Sequence, residues 1–202
     1  MIIEYEEPEI QKKTYDSELK DEYDPRHRAR WANVLKCKKT VDGKNVYDNI
    51  REAEISKDGY GSDTLAHCTT HDHECRYELA GKSKKHFDGV IIGQKPYDDG
   101  LNIEDRKYDH GNEKLPASIR VFYVSFREPE LDYCFMVPWA TVEKYRDKKK
   151  KQRSWVKGKW IWEYMHPIPI EEVRLFSISP EGELKEILKP WGIRDGNIVH
   201  VG

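Results

Sequence analysis

The sequence predicts an α+β domain, with a central mixed β-sheet of four or more strands flanked by helices. Three observations predict it. Short β-prone runs, chiefly 119–126 (IRVFYVSF) and 133–137 (YCFMV), are separated by turn residues. Helical signals fall before and after that central block. Finally, 6 Trp, 12 Tyr and 5 Phe supply large core side chains although only 37% of residues are apolar and 36% are charged, which argues against a disordered chain.

Taken in order, residues 1–30 read as an acidic arm ahead of a single domain over 31–202. Nine acids against three lysines fall in residues 1–24, and Pro8 and Pro25 leave room for a short helix over 9–22 at most. Residues 31–37 read as a strand, 41–44 as a turn, the polar stretch 46–55 as a helix, and the glycine-rich 59–63 as a loop. Residues 87–93 (FDGVIIG) read as a short buried strand bounded by glycines, 95–100 as a turn, and 101–108 as an alternating second strand. After the two central runs, Pro138 suits the start of a helix from about 140 towards 151. A strand over 173–178, a turn at Pro180-Glu181-Gly182 and a pairing stretch over 183–188 complete the chain.

Several function classes have no anchor. No run approaches the roughly 18 apolar residues of a membrane span, so no membrane partner is expected. The N-terminus MIIEYEEPEI is acidic where a secretory signal is basic. Four cysteines (Cys37, Cys68, Cys75 and Cys134) make no disulfide framework at this length, so an intracellular, cytoplasmic, reduced protein is expected. Phosphate-binding glycine loops and the Gly-x-Ser-x-Gly elbow are absent from the sequence.

The sharpest chemical signal is Asp88 at the head of the 87–93 run, followed by Asp105-Arg106-Lys107 in the next expected strand. Acid-x-Lys occurs five times in the chain, so its place between β-prone runs is what singles this copy out. Period-two geometry sets Asp105 and Lys107 on one strand face, where a carboxylate from a neighbouring strand can meet them. Two carboxylates suit Mg²⁺ and a lysine supports developing negative charge, as phosphodiester hydrolysis requires.

Here the chain resembles the PD-(D/E)XK nuclease superfamily, which includes many restriction endonucleases. The resemblance spans about 86–145 and rests on His86-Phe87-Asp88-Gly89-Val90, Ile103-Glu104-Asp105-Arg106-Lys107, the run 119–126 and the strand and helix after it. It implies a restriction-endonuclease-like fold, Asp88 and Asp105 as Mg²⁺ ligands, Lys107 as the catalytic lysine and Glu104 as a fallback ligand. Phe87 stands where the family often has proline, and Asp105 replaces the commoner glutamate. Members often recruit a further acid, for which Glu52, Glu54 and Glu78 are the candidates.

Two other segments carry chemistry. Between His67 and Cys75, the residues Cys68, His71, His73 and Cys75 form a candidate Zn²⁺ set, although four ligands so close together staple little chain. An ordinary His-rich loop, or one histidine serving as a base, is the alternative. Between 140 and 160, nine basic residues face two acids; Lys144, Lys148, Lys149, Lys150, Lys151, Arg153, Lys157 and Lys159 surround Trp155 and further indoles. Cations neutralise phosphates and indoles stack on bases, so this segment is the expected DNA or RNA contact. A solvated helix end is the plainer reading. The resulting expectation is a Mg²⁺-dependent DNA endonuclease of restriction type, acting as a homodimer. The alternative is a non-catalytic nucleic-acid-binding or protein-interaction module with a structural Cys/His loop.

Overall fold

Helix α1 (Pro25–Cys37) opens the computed structural model, which describes residues 25–53, 63–105, 107, 118–156 and 159–202, with backbone alone over 154–156 and 159–161. Most of the expected acidic arm thus lies outside the described residues. The strand expected over 31–37 is helix instead. His27, Trp31, Val34 and Leu35 are buried at helical spacing, and that stripe decides the conformation.

The next three strands form an antiparallel meander: β1 (Tyr47–Glu52), β2 (Thr64–Cys68) and β3 (His73–Ser83). Residues 46–55 were expected to be helical because they are polar. Within that stretch Tyr47–Glu52 is β1, the edge of the sheet, where polar side chains meet water and cost little. Strand β3 leads into helix α2 (Lys84–Ile91), capped by the Ser83 hydroxyl, which accepts the His86 N–H at 3.3 Å. The strand expected over 87–93 is therefore corrected to helix: Phe87, Val90 and Ile91 are buried three and four residues apart.

Strand β4 (Leu101–Glu104) follows Gly100, whose φ of +120° no other residue adopts readily; a β-carbon there would collide with the Ile168 carbonyl. Strands β5 (Ile119–Glu128) and β6 (Tyr133–Pro138) match the two strongest β-prone runs. The helix expected as far as 151 ends early, as α3 (Trp139–Lys144). The lysine run instead enters β7 (Lys150–Val156), which pairs with β8 (Lys159–Ile168). Strands β9 (Arg174–Ile178) and β10 (Leu184–Ile187) form the expected pair, and β11 (Trp191–Arg194) and β12 (Asn197–His200) close a tight hairpin at Asp195-Gly196.

The architecture is α+β. Seven strands form one mixed sheet in the order β1-β2-β3-β5-β6-β9-β10, while β4, β8 and β7 form a second, three-stranded sheet. The parallel pair is β3 with β5, in register from Glu74↔Ile119 to Ser83↔Glu128. Alternation splits the large sheet into two apolar faces. Tyr77, Leu79, Val124, Phe126, Cys134 and Phe176 pack with Trp31 of α1, whereas Tyr123, Phe135, Val137 and Leu175 pack with Phe87 of α2 and Ile103 of β4. Among the described residues, no helix is long and apolar enough to cross a membrane.

Candidate active site

On β3, residues 75, 77 and 79 enter the apolar core, so period two turns Glu78, Ala80 and Lys82 to the other face. The β2–β3 register pairs Thr64 with Tyr77, and Asp63 lies at the end of that pairing, close enough to Glu78 for the two carboxylates to repel. Backbone groups fix Asp63: its N–H donates to the Tyr77 carbonyl at 2.8 Å, and its Oδ2 accepts the Leu79 N–H at 2.7 Å. Asp63 and Glu78 are each 3% exposed. Lys107, 8% exposed, forms an ion pair with Glu78 Oε1.

This trio has an unbalanced charge. Burial, and then the Glu78 carboxylate, push the Asp63 carboxyl up to about 7; Lys107, the Leu79 N–H and Arg28 pull the other way. Asp63 Oδ1 is buried without a hydrogen-bond partner. A buried, unpartnered acceptor costs roughly 1–3 kcal/mol, so the arrangement calls for a proton or a cation.

Further charges extend the same face. Lys82 pairs with Glu104 at 2.5 Å, and β5 lines up Tyr123, Ser125 and Arg127 beside Glu78, Ala80 and Lys82. Arg127 holds Asp132 through two nitrogens, at 3.0 and 2.5 Å, and reaches Asp88 at 3.4 Å. Asp105 accepts hydrogen bonds from His166 at 2.7 Å and Lys149 at 2.8 Å. Burial opposes ionisation of Asp105, but these two partners outweigh it and hold the carboxyl below its ordinary value. His86 stacks on Tyr97 at 4.0 Å; burial, then Lys82, push its pKa down to about 3, so it stays neutral at physiological pH.

The expected ligand set is thus dispersed among different partners. Asp88 lies on α2 rather than heading a strand, and its cation is Arg127. Strand β4 ends at Glu104, while Asp105 and Lys107 have helical backbone, so strand alternation does not align them. Asp105 turns to His166, Glu104 to Lys82, and Lys107 to Glu78. Of the three candidate further acids, Glu78 joins the site, Glu52 pairs with Arg28 at 2.8 Å on the edge strand, and Glu54 lies outside the described residues. Sequence reasoning missed Asp63 and Lys82. The available signal was Glu78 within Tyr77-Glu78-Leu79-Ala80, an acid inside a β-prone apolar run.

The Cys/His residues do not converge either. Cys68 and Cys75 both enter the core beneath α1, and Cys68 Sγ lies 3.5 Å from His71 Nδ1 and 3.2 Å from Thr70 Oγ1. The His73 ring lies tilted 5.7 Å from that of His71, while His67 bridges Asp48 and Asp72 at 2.9 and 3.0 Å. Among the described residues, no group of three or more His, Cys, Asp or Glu is arranged to hold a metal. Asp63 and Glu78 offer two ligands; Mg²⁺ needs few from protein, because it keeps several waters.

The basic segment is divided between two roles. Lys144 pairs with Glu172 at 2.6 Å, Lys149 with Asp105, and Lys150 with Asp99 at 2.6 Å, while Lys148 lies over the Tyr145 ring at 5.1 Å. On the β7–β8 ribbon, Lys151 pairs with Tyr164 and Arg153 with Trp162, and the register continues through Trp155↔Trp160 and Val156↔Lys159. Lys157 is outside the described residues.

Comparison of the chain with family models, with curated proteins and with solved structures finds no match.

Proposed function

We propose that the chain is a Mg²⁺-dependent nuclease that hydrolyses phosphodiester bonds in DNA, with Asp63 and Glu78 as the metal-holding pair and Lys107 as the supporting cation. The observation that carries this reading is the pair of neighbouring, buried carboxylates with an unpartnered Asp63 Oδ1 and a lysine on Glu78. For stability alone, apolar residues of similar volume on those strands serve as well or better. Mg²⁺ bound there would supply Lewis-acid charge to the phosphoryl group. Lys107 would face the negative charge that develops on the phosphate oxygens. Metal must displace the proton that Asp63 retains up to about pH 7, so Mg²⁺ affinity rises with pH through that range. This reading keeps Lys107 and Glu78 from the resemblance to PD-(D/E)XK nucleases and exchanges Asp88 and Asp105 for Asp63.

A non-catalytic nucleic-acid-binding module is the second reading, favoured by the near-complete burial of Asp63, Glu78 and Lys107. Incubation with plasmid DNA, both duplex and heat-denatured, separates the two. The nuclease cleaves with Mg²⁺ and stops with EDTA; Asp63→Asn and Lys107→Ala each lose at least ~10²-fold in rate, the scale of removing one preorganised charge. Asp88→Asn retains cleavage. Both forms of the DNA intact at every Mg²⁺ concentration leave the binding module standing.

A further inference from the structure

We infer that the β7–β8 ribbon is a stacking platform for an unpaired nucleic-acid strand, which names the form of substrate for the nuclease reading and rests on it. Trp162 and Tyr164 are 38% and 46% exposed, and they are the exposed large aromatic side chains among the described residues. Both lie on β8 two residues apart, so they share one face. Their cross-strand partners on that face are Arg153 and Lys151. The Lys151 ammonium lies 5.5 Å from the Trp162 ring and the Lys149 ammonium 6.0 Å from the Tyr164 ring. The face thus combines rings that can stack with cations that can meet phosphates.

Spacing selects the strand form. Residues two apart on a strand are separated by about 6.7 Å, twice the ~3.4 Å between successive bases in one strand of a duplex. In a duplex the base faces are already covered by their neighbours. An extended, unpaired strand exposes them and can match the wider interval. Base stacking on an aromatic ring is worth more than an exposed cation–π contact, so a base can displace each lysine from its ring. The freed ammonium then neutralises a phosphate. Strand β8 also pairs Met165 with Glu104, and Lys149 joins Tyr164 to Asp105, so the platform is tied to the segment that carries Lys107.

The test is fluorescence anisotropy with a labelled 15-nucleotide oligothymidylate and a 15-base-pair duplex, in EDTA so that no cleavage occurs. The expected result is tighter binding of the single strand at every salt concentration. Trp162→Ala weakens single-strand binding about tenfold, Trp162→Phe largely retains it, and Lys151→Ala flattens the salt dependence. Circular dichroism of Trp162→Ala, Trp162→Phe and Lys151→Ala shows whether the ribbon persists in the variants compared. Equal or tighter duplex binding overturns the inference, as does a Trp162→Ala loss no larger for the single strand than for the duplex. Failure to bind either oligonucleotide also overturns it, while the cleavage assay with Mg²⁺ on duplex and denatured plasmid reports separately on the nuclease.

Discussion

Alternate residues of β3 lead into two different chemistries. Cys75, Tyr77 and Leu79 join Trp31 and Phe126 in an apolar layer, whereas Glu78 and Lys82 face Asp63, Lys107 and Glu104. One face holds the sheet to α1 by burial, which is insensitive to pH and salt. The other offsets charge with charge, and each of its groups depends on a named partner. The difference teaches that this strand bears stability on one side and a charge pattern, which burial does not require, on the other.

The largest effect comes from breaking each face in turn. Phe126→Ala should cost ~3–5 kcal/mol, read as a lower urea midpoint, with cleavage per folded molecule unchanged. Lys107→Ala should cost a similar ~3–5 kcal/mol, because it strands the buried Glu78 carboxylate, and should abolish cleavage as well. The double change Glu78→Leu with Lys107→Met should recover the stability but not the cleavage. Recovery of both would mean that the pair is only structural.

A smaller effect sharpens the contrast through pH. The Asp63 pKa is raised on folding from the ordinary 3.8 to about 7, so the folded chain binds more protons than the unfolded one between those values. Stability therefore falls as pH rises from about 4 to about 7 and levels off above that, by on the order of 3–4 kcal/mol from this group. Urea unfolding at pH 5 and pH 8 should show the decline in the parent and a much smaller one in Asp63→Asn. Added Mg²⁺ should restore more stability at pH 8 than at pH 5. The smallest effect belongs to an exposed pair: Lys144→Ala, which loses surface contacts with Glu172 and the Tyr145 ring, should leave the urea midpoint unchanged.

The fold was legible where the sequence concentrates β-branched and aromatic residues. Strands β5, β6 and β9 bury both faces, and such runs need no neighbour to identify them. It was illegible where tertiary pairing overrides composition. Polar β1 is a strand because β2 lies beside it, and 31–37 is helix because Trp31, Val34 and Leu35 share one stripe. The same limit applies to the site. Lys107 and Glu78 were both marked as candidates, but Asp63 lies in a stretch rich in glycine, serine and aspartate that carries every local signal of a loop. Only the pairing of a hairpin whose strands were not foreseen brings it beside Glu78.

The long parallel pairing of β3 with β5 also bears on the order in which the chain assembles. Asp63 and Glu78 are brought together by the local β2–β3 hairpin, whereas the surface that buries them requires β5, more than forty residues further on. Contacts between distant segments form late, because loop closure must precede them. The two acids can therefore meet before Lys107 is in place to balance them. Until then water and a borrowed proton hold the pair apart in energy, and mildly acidic conditions should ease the passage to the native state by lending that proton.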